Sequence, residues 1–373
     1  MKYKTYALGE LVQIKYGKNQ KKVLSEEGAI PIYGTGGLMG YATEALYDKP
    51  SVLIGRKGTI GKVRYVDYPF WTVDTLFYTI VNTELVLPKY LFYLMSQMDL
   101  NAYNEGTTIP SLRTETLNRL EFDIPSIEEQ KEVLSYLEPI DDKIQLNTEI
   151  NKNLAEQAQG ILYYFMEHYN YQLNPLSDIA DVIDCLHSKK PLAIEDSRYQ
   201  LIQLDNIRDD GFLDMSACKY MISKVDYENW TRKCEITEGD CVITNVGRIG
   251  AVAQAPFGTK AAMGRNMTCI RLKSGLQLHA FIITVFLSNH MRRQIQYNTD
   301  EGTIMGALNV KNIPKLLFPI FNTSIMSDLE NILYPLRKQI EYNNLQNQDL
   351  VQIRDTLLPH LMSGEIDVSN IDI

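Results

Sequence analysis

Asp141-Asp142-Lys143 is a stretch that a phosphodiester-cleaving enzyme would use, since paired carboxylates hold a divalent cation and a lysine steadies developing charge. Its surroundings argue against that use: it lies in a charged run with helical spacing, where carboxylates form a solvated face. An amino-methyltransferase would show an Asp/Asn-Pro-Pro-aromatic motif and a glycine-rich cofactor loop, and neither Asp67-Tyr68-Pro69-Phe70 nor Asn174-Pro175-Leu176-Ser177 fits. No phosphate-binding P-loop signature occurs, and His168, His187, His279, His290 and His360 make no zinc-ligand spacing. The five cysteines (Cys185, Cys218, Cys234, Cys241, Cys269) are odd in number and form no C-x-x-C pair, which reads as buried reduced thiols. The expectation is a chain without catalysis, cofactor or metal.

With 373 residues, 45% of them hydrophobic, the chain is long enough for two domains and connecting elements. The start, Met1-Lys2-Tyr3-Lys4-Thr5-Tyr6, has no apolar core or cleavage site behind it, and nowhere do eighteen apolar residues run together, so a soluble, cytoplasmic protein with no membrane partner is expected. The net charge of −9 is unevenly spread. Residues 1–123 carry 14 Lys+Arg against 13 Asp+Glu and residues 171–322 carry 17 against 16, each a balance of +1. Residues 124–170 carry 3 against 9 and residues 323–373 carry 3 against 8, balances of −6 and −5. The two acidic stretches should avoid phosphates and face solvent or protein.

The elements that would position any site come from an internal repeat. Leu8-Gly9-Glu10-Leu11 matches Leu176-Ser177-Asp178-Ile179 at an offset of 168, and Ile54-Gly55-Arg56-Lys57-Gly58-Thr59-Ile60-Gly61 matches Ile243-Thr244-Asn245-Val246-Gly247-Arg248-Ile249-Gly250 at 189. Gly106-Thr107-Thr108-Ile109-Pro110-Ser111-Leu112 then matches Gly302-Thr303-Ile304-Met305-Gly306-Ala307-Leu308 at 196, an offset that holds from Leu137, Pro139, Ile144 and Asn147 to Leu333, Pro335, Ile340 and Asn343. Each copy is one globular domain of drifting length followed by one helix of fixed length. β-Branched and aromatic runs (50–54, 71–81, 241–245, 267–272) and helical stretches (88–98, 278–296) give a compact α+β domain with a curved sheet. Gly34, Gly36, Gly37, Gly55, Gly58 and Gly61 mark positive-φ turns and bulges, or places where backbone N–H groups approach phosphates.

Ser126 followed three residues on by Glu129 is a capping box that starts the first helix. Its apolar heptad series (Leu137, Ile140, Ile144, Leu154, Ala158, Ile161, Phe165) is interrupted by Asn147 and Asn151. The second series (Leu333, Leu336, Ile340, Leu350, Arg354, Leu357, Leu361) carries Asn343 and Asn347 in the same slots. Pro139 and Pro335 are expected to kink or restart the helices. Two such stripes in one chain bury most simply against each other as an antiparallel pair, in which Asn147 meets Asn347 and Asn151 meets Asn343, fixing register; the alternative leaves the asparagines on a solvated face. About 40 helical residues span about 60 Å, enough to act as a ruler between half-sites one DNA turn apart.

With these features in place, the chain resembles the specificity subunits of type I restriction-modification systems across essentially its whole length. The carriers are Thr59-Ile60-Gly61 and Arg248-Ile249-Gly250, the run Ile109-Pro110-Ser111-Leu112 leading into Leu120-Glu121-Phe122-Asp123-Ile124-Pro125-Ser126-Ile127-Glu128-Glu129-Gln130, and the ending Arg354-Asp355-Thr356-Leu357-Leu358-Pro359-His360-Leu361-Met362-Ser363-Gly364-Glu365-Ile366. The resemblance implies two target-recognition domains, residues 1–123 and 171–322, and two long spacer helices, residues 124–170 and 323–373, paired as an antiparallel coiled coil. It further implies reading of a split, asymmetric sequence in double-stranded DNA, with two adenine methyltransferase subunits docked on the helices and restriction/translocase subunits joining them. The second copy departs in having Gly306-Ala307 for Pro110-Ser111 and in lacking the Glu-Glu-Gln run.

Lys and Arg would position phosphates, and Arg, Asn and Gln would read base edges. By clustering, the candidates are Lys18, Asn19, Gln20, Lys21, Lys22, Arg56, Lys57 and Arg64 in the first copy. In the second they are Lys189, Lys190, Asn206, Arg208, Asn245, Arg248, Arg265 and Asn266, each weighed against an ordinary surface role. Two other readings stand beside this one. A recognition subunit of a different DNA-modification system would differ in its partner enzyme, and a non-catalytic scaffold without DNA binding would not bind random DNA even at low salt.

Overall fold

The computed structural model describes residues 2–300 and 306–366; of the repeat motif, residues 302–305 lie outside the described residues, as do 367–373 at the end of the second helical stretch. The chain forms two units, one of Met1–Asp142 with Val351–Ile373, the other of Lys143–Leu350. Both are α+β.

In the first unit, Val12–Tyr16, Leu76–Val81, Ser51–Gly55 and Val63–Val66 pair in that order as an antiparallel sheet. A second sheet pairs Gly37–Ala42 with Ile30–Gly34, which runs parallel to Trp71–Thr72. The expected single run over 71–81 is thus two strands belonging to two sheets, turned where the amide of Leu76 donates to the carbonyl of Val73. Lys4–Ala7 pairs antiparallel with Glu121–Ile124, closing the unit end to end. The alternating pattern of these short strands buries Val52, Ile54 and Phe77 against the helix Pro88–Ser96 (Tyr90, Leu91) and against Leu358 and Leu361 from the chain's last helix. Each such fully buried side chain contributes roughly 1.5–3 kcal/mol.

The second unit repeats this plan. Ala180–Asp184, Met267–Leu272, Cys241–Thr244 and Val252–Gln254 form the antiparallel sheet. Tyr199–Ile202 runs parallel to Lys260–Met263 in the other sheet, and Gln172–Pro175 pairs with Leu317–Ile320 as the closing ribbon. The helix expected over 278–296 is two, His279–Phe286 and Asn289–Tyr297, because the Ser288 hydroxyl accepts the amide of Met291 and starts a new helix. All five cysteines are free and buried, and burial pushes the Cys241 thiol up to about 12.

The long helices run Ile127–His168 and Thr323–Met362, 42 and 40 residues. Ser126 and Glu129 cap the first reciprocally, at 3.3 Å from the Glu129 amide to the Ser126 hydroxyl and 3.0 Å from the Ser126 amide to the Glu129 carboxylate. The second, without that motif, is capped by Asn322, whose side-chain oxygen accepts the Ile325 amide at 3.1 Å. Neither proline restarts its helix: Pro139 and Pro335 are exposed, so the carbonyl that loses its partner one turn back faces water. Among the described residues, no helix is long and apolar enough to cross a membrane.

Within the second unit, the segments of the two helices pack antiparallel. Asn147 donates to Asn347 Oδ1 at 2.8 Å and Asn343 donates to Asn151 Oδ1 at 2.8 Å, so four residues forward on one helix match four back on the other. Asn151 also donates to Asn344 at 3.2 Å.

Candidate nucleic-acid interface

The segment 71–76 gathers the basic clusters of the first unit. Its Thr72 carbonyl accepts the Lys18 amide at 2.8 Å, while the Trp71 indole N–H donates to the Lys18 carbonyl at 2.9 Å. Its Thr75 carbonyl accepts the amides of Arg56 and Lys57 at 2.9 and 3.2 Å, and the Val73 amide donates to Tyr33, whose ring lies 4.8 Å beneath the Arg64 guanidinium. Backbone bonds thus hold the loop after Tyr16 and the turn at Arg56 beside each other, leaving Lys18, Lys21, Lys22, Lys57 and Arg64 exposed. Asn19 uses its side-chain oxygen to accept the Lys21 amide at 2.9 Å, bending that loop, and Gln20 is half-buried. Arg56 donates to the Asp74 carbonyl at 2.9 Å and sits 5.0 Å over the Tyr16 ring, so its charge is aimed by an aromatic face.

A glycine turn sets this geometry. Gly58 has φ +89°, its amide donates to Pro110 at 2.9 Å, and the Leu112 amide donates back to the Arg56 carbonyl at 3.0 Å. Lys57 bridges Ser111, which joins the two motifs of the first copy. In the second copy Val246 bridges Ala307 and the Leu308 amide donates to the Asn245 carbonyl at 2.8 Å, at the same offsets of 189 and 196. Of the six glycines expected at turns, only Gly37 and Gly58 have positive φ; Gly55 is small because a Cβ there would sit 2.2 Å from the Thr59 carbonyl oxygen.

The second unit changes the candidate set. Asn206 and Asn245 are buried and their amides are engaged internally: Asn206 accepts the Gln203 amide at 2.7 Å and donates to Asp214, while Asn245 and Thr268 exchange hydrogen bonds at 3.0 and 3.1 Å. These two hold loops and do not present an edge to a groove. Arg248 donates to the Ile207 carbonyl and to Asp209, and Arg208 pairs with Asp210 at 2.5 Å, so neighbouring acids offset both cations. Arg265 and Asn266 are exposed in the turn that links Lys260–Met263 to Met267–Leu272, strands of two different sheets, and the Asn266 carbonyl accepts the Asn245 amide; Asn266 is the one non-glycine with positive φ (63°) among the described residues. Lys189 and Lys190 are exposed and belong to a separate loop, where Lys190 lies 3.8 Å over the Tyr220 ring.

Two features lay beyond clustering of charge. In the first unit the strand Gly37–Ala42 exposes Leu38, Met39 and Tyr41, starting from Gly37 beside the Arg64 guanidinium, which makes an apolar patch next to that cation. Alternation of apolar residues with glycine around 37–41 was the available signal. Asp141, read from sequence as a solvated carboxylate, instead accepts from Tyr93 at 2.6 Å, Arg354 at 2.9 Å and Lys89 at 3.0 Å. Burial opposes its ionisation, but those three donors outweigh burial and hold its pKa below the usual carboxylate range. With these three donors on it, the Asp141 carboxylate ties the helices of the first unit to Pro88–Ser96.

The family described as type I restriction modification DNA specificity domain matches residues 1–156. The MjaIX type I restriction enzyme specificity subunit of Methanocaldococcus jannaschii is 23% identical over 353 residues, covering 87% of this chain and 80% of the relative. The HindI specificity subunit of Haemophilus influenzae is 33% identical over 110 residues, 27% of this chain and 24% of its own length. The crystal structure of a type I restriction-modification S subunit from M. genitalium shares the fold with a TM-score of 0.56 at 16% identity, over 97% of this chain and 96% of the other.

Proposed function

We propose, from the premise that this chain belongs to the type I restriction-modification specificity-subunit family, that it reads a split, asymmetric DNA sequence for partner enzymes in the cytoplasm and does no chemistry itself. Residues 1–123 and 171–322 each take one half-site. The helical stretches 124–170 and 323–373 set the spacer and dock two adenine methyltransferase subunits, which restriction/translocase subunits join.

One observation carries this reading: the same two motifs are zipped together by the same backbone bonds in both units, beneath different exposed side chains. A shared frame with divergent surface chemistry suits two readers of different half-sites. In the first unit Lys18, Lys21, Lys22 and Lys57 position phosphates and Arg64 reads a base edge, aided by the apolar patch beside it. In the second, Arg265 and Asn266 are the readers, with Lys189 and Lys190 on the backbone.

The acids beside Arg208 and Arg248 favour one alternative, a scaffold that leaves DNA contact to its partners. Adenine-methylome sequencing separates the two in cells expressing this chain with a methyltransferase subunit encoded beside it. Methylation at one split motif that disappears on deleting this chain establishes a reader; a complex that forms without any motif establishes a scaffold.

A further inference from the structure

The 196-residue offset that relates the long helices puts Arg337 at the place of Asp141, and Arg354 at the place of Ala158. In the first unit those places hold the Asp141–Arg354 ion pair at 2.9 Å, closed over by Tyr93 and Lys89. In the second unit the charge is reversed and the partner is missing: Arg337 is buried, and Ala158 offers no carboxylate. A cavity of about 660 Å³ opens there instead, lined by Arg337, Arg292, Gln159, Asn344, Leu287 and Ile340.

Three buried polar atoms on this cavity are unmatched. Arg337 makes no hydrogen bond to a described residue, and its Nε is buried without a partner, as are Asn344 Nδ2 and Gln159 Oε1. The carboxylates whose charge acts on Arg337 are Asp210, which also lines the cavity, and Glu341; neither pairs with it, since Asp210 holds Arg208 and the Phe212 amide and Glu341 holds Lys338 and the Phe257 amide. On the same wall Lys152 faces Glu156, and Asp209 is held by Arg248. Arg337 and the exposed Arg292 are therefore the lining cations without an ion pair to a described residue.

A buried guanidinium with no acceptor is costly, and the group that relieves it is a planar or tetrahedral oxyanion taking two parallel N–H bonds. We propose that the second unit carries a binding site for a small oxyanion-bearing molecule, a phosphate or carboxylate, seated on Arg337 and Arg292. Asn344 supplies a further donor, and Gln159 accepts from a hydroxyl of the ligand. Leu287 and Ile340 give the remainder of the molecule an apolar wall. The site is independent of the DNA reading and would exist in a chain that only scaffolds.

The test is calorimetric titration of the full chain with inorganic phosphate in a chloride buffer. One saturable site per chain is expected. Arg337→Gln should weaken it at least about tenfold, the loss of one charge-assisted hydrogen-bond pair. Arg292→Gln, on an exposed helix face where folding is not at stake, should weaken it less but measurably. A nucleoside monophosphate that binds more tightly than phosphate assigns the site to a phosphomonoester, and equal affinity assigns it to the free ion. Absence of saturable binding up to tens of millimolar, or an affinity unmoved by both substitutions, overturns the proposal.

Discussion

The Asn147 side-chain amide donates to Asn347 Oδ1 at 2.8 Å and to Gln346 Oε1 at 2.8 Å, within a polar stretch of the seam. Asn343 and Asn151 repeat the contact one helical turn away, and Asn147 Oδ1 is left buried without a partner. A polar pair in this position aligns the helices at some cost in stability.

Replacing all four asparagines with Leu should therefore raise the melting temperature, by roughly 2–4 °C for each kcal/mol recovered, while loosening register. Asn147→Leu alone should lower stability by about 1–2 kcal/mol, because the half-buried Asn347 Oδ1 and Gln346 Oε1 then lose their donor. Thermal melts with cross-linking across the seam read both effects; a quadruple variant that melts several degrees lower defeats this account.

Asp141 provides the pH dependence. Its pKa in the folded chain is depressed below the unfolded value of about 3.9. Its contribution is thus complete above that unfolded value and disappears as pH falls through the lower folded value. Asp141→Asn should cost about 2 kcal/mol at neutral pH and flatten the acid limb of the stability curve. Urea melts between neutral pH and strong acid show whether the two curves converge at the acid end, as they must.

For the proposed DNA contacts, the assembled methyltransferase complex separates two roles. Lys21→Ala or Lys57→Ala should weaken all sequences alike and reduce the slope of log affinity against log salt by about 0.9. Arg64→Ala should instead relax preference at one base pair, at about 1–3 kcal/mol. Lysine variants that alter sequence preference would reverse the assignment.

Asn206→Ala and Asn245→Ala should act through folding, each losing about 1–3 kcal/mol of stability as a buried partner goes unsatisfied. Sequence preference of the surviving folded protein should not move. A change in the methylated motif without a change in melting would place these amides in contact with DNA after all.

The repeat was the most legible feature, since three different offsets turn out to mark backbone contacts made twice. Leu8 donates to the Leu120 carbonyl and Leu176 to that of Leu316, just as Leu112 and Leu308 reach Arg56 and Asn245. The helix start at Ser126 was equally legible because a capping box is local. The burial of Asn206 and Asn245 was not, because Asp214 and Thr268 reach them only in the folded unit. Asp141 was misread for the same reason: its donors come from Pro88–Ser96 and from residue 354, and no helical periodicity records them.

The zipper between the two motifs is built from main-chain atoms alone: Arg56 and Asn245 contribute carbonyls, Leu112 and Leu308 contribute amides, and the bridged positions are Lys57 with Ser111 and Val246 with Ala307. Nothing in that attachment depends on which side chain stands at 57 or 111. The rim is therefore free to diversify: a lineage can rewrite the chemistry it displays, residue by residue, while inheriting the frame unchanged.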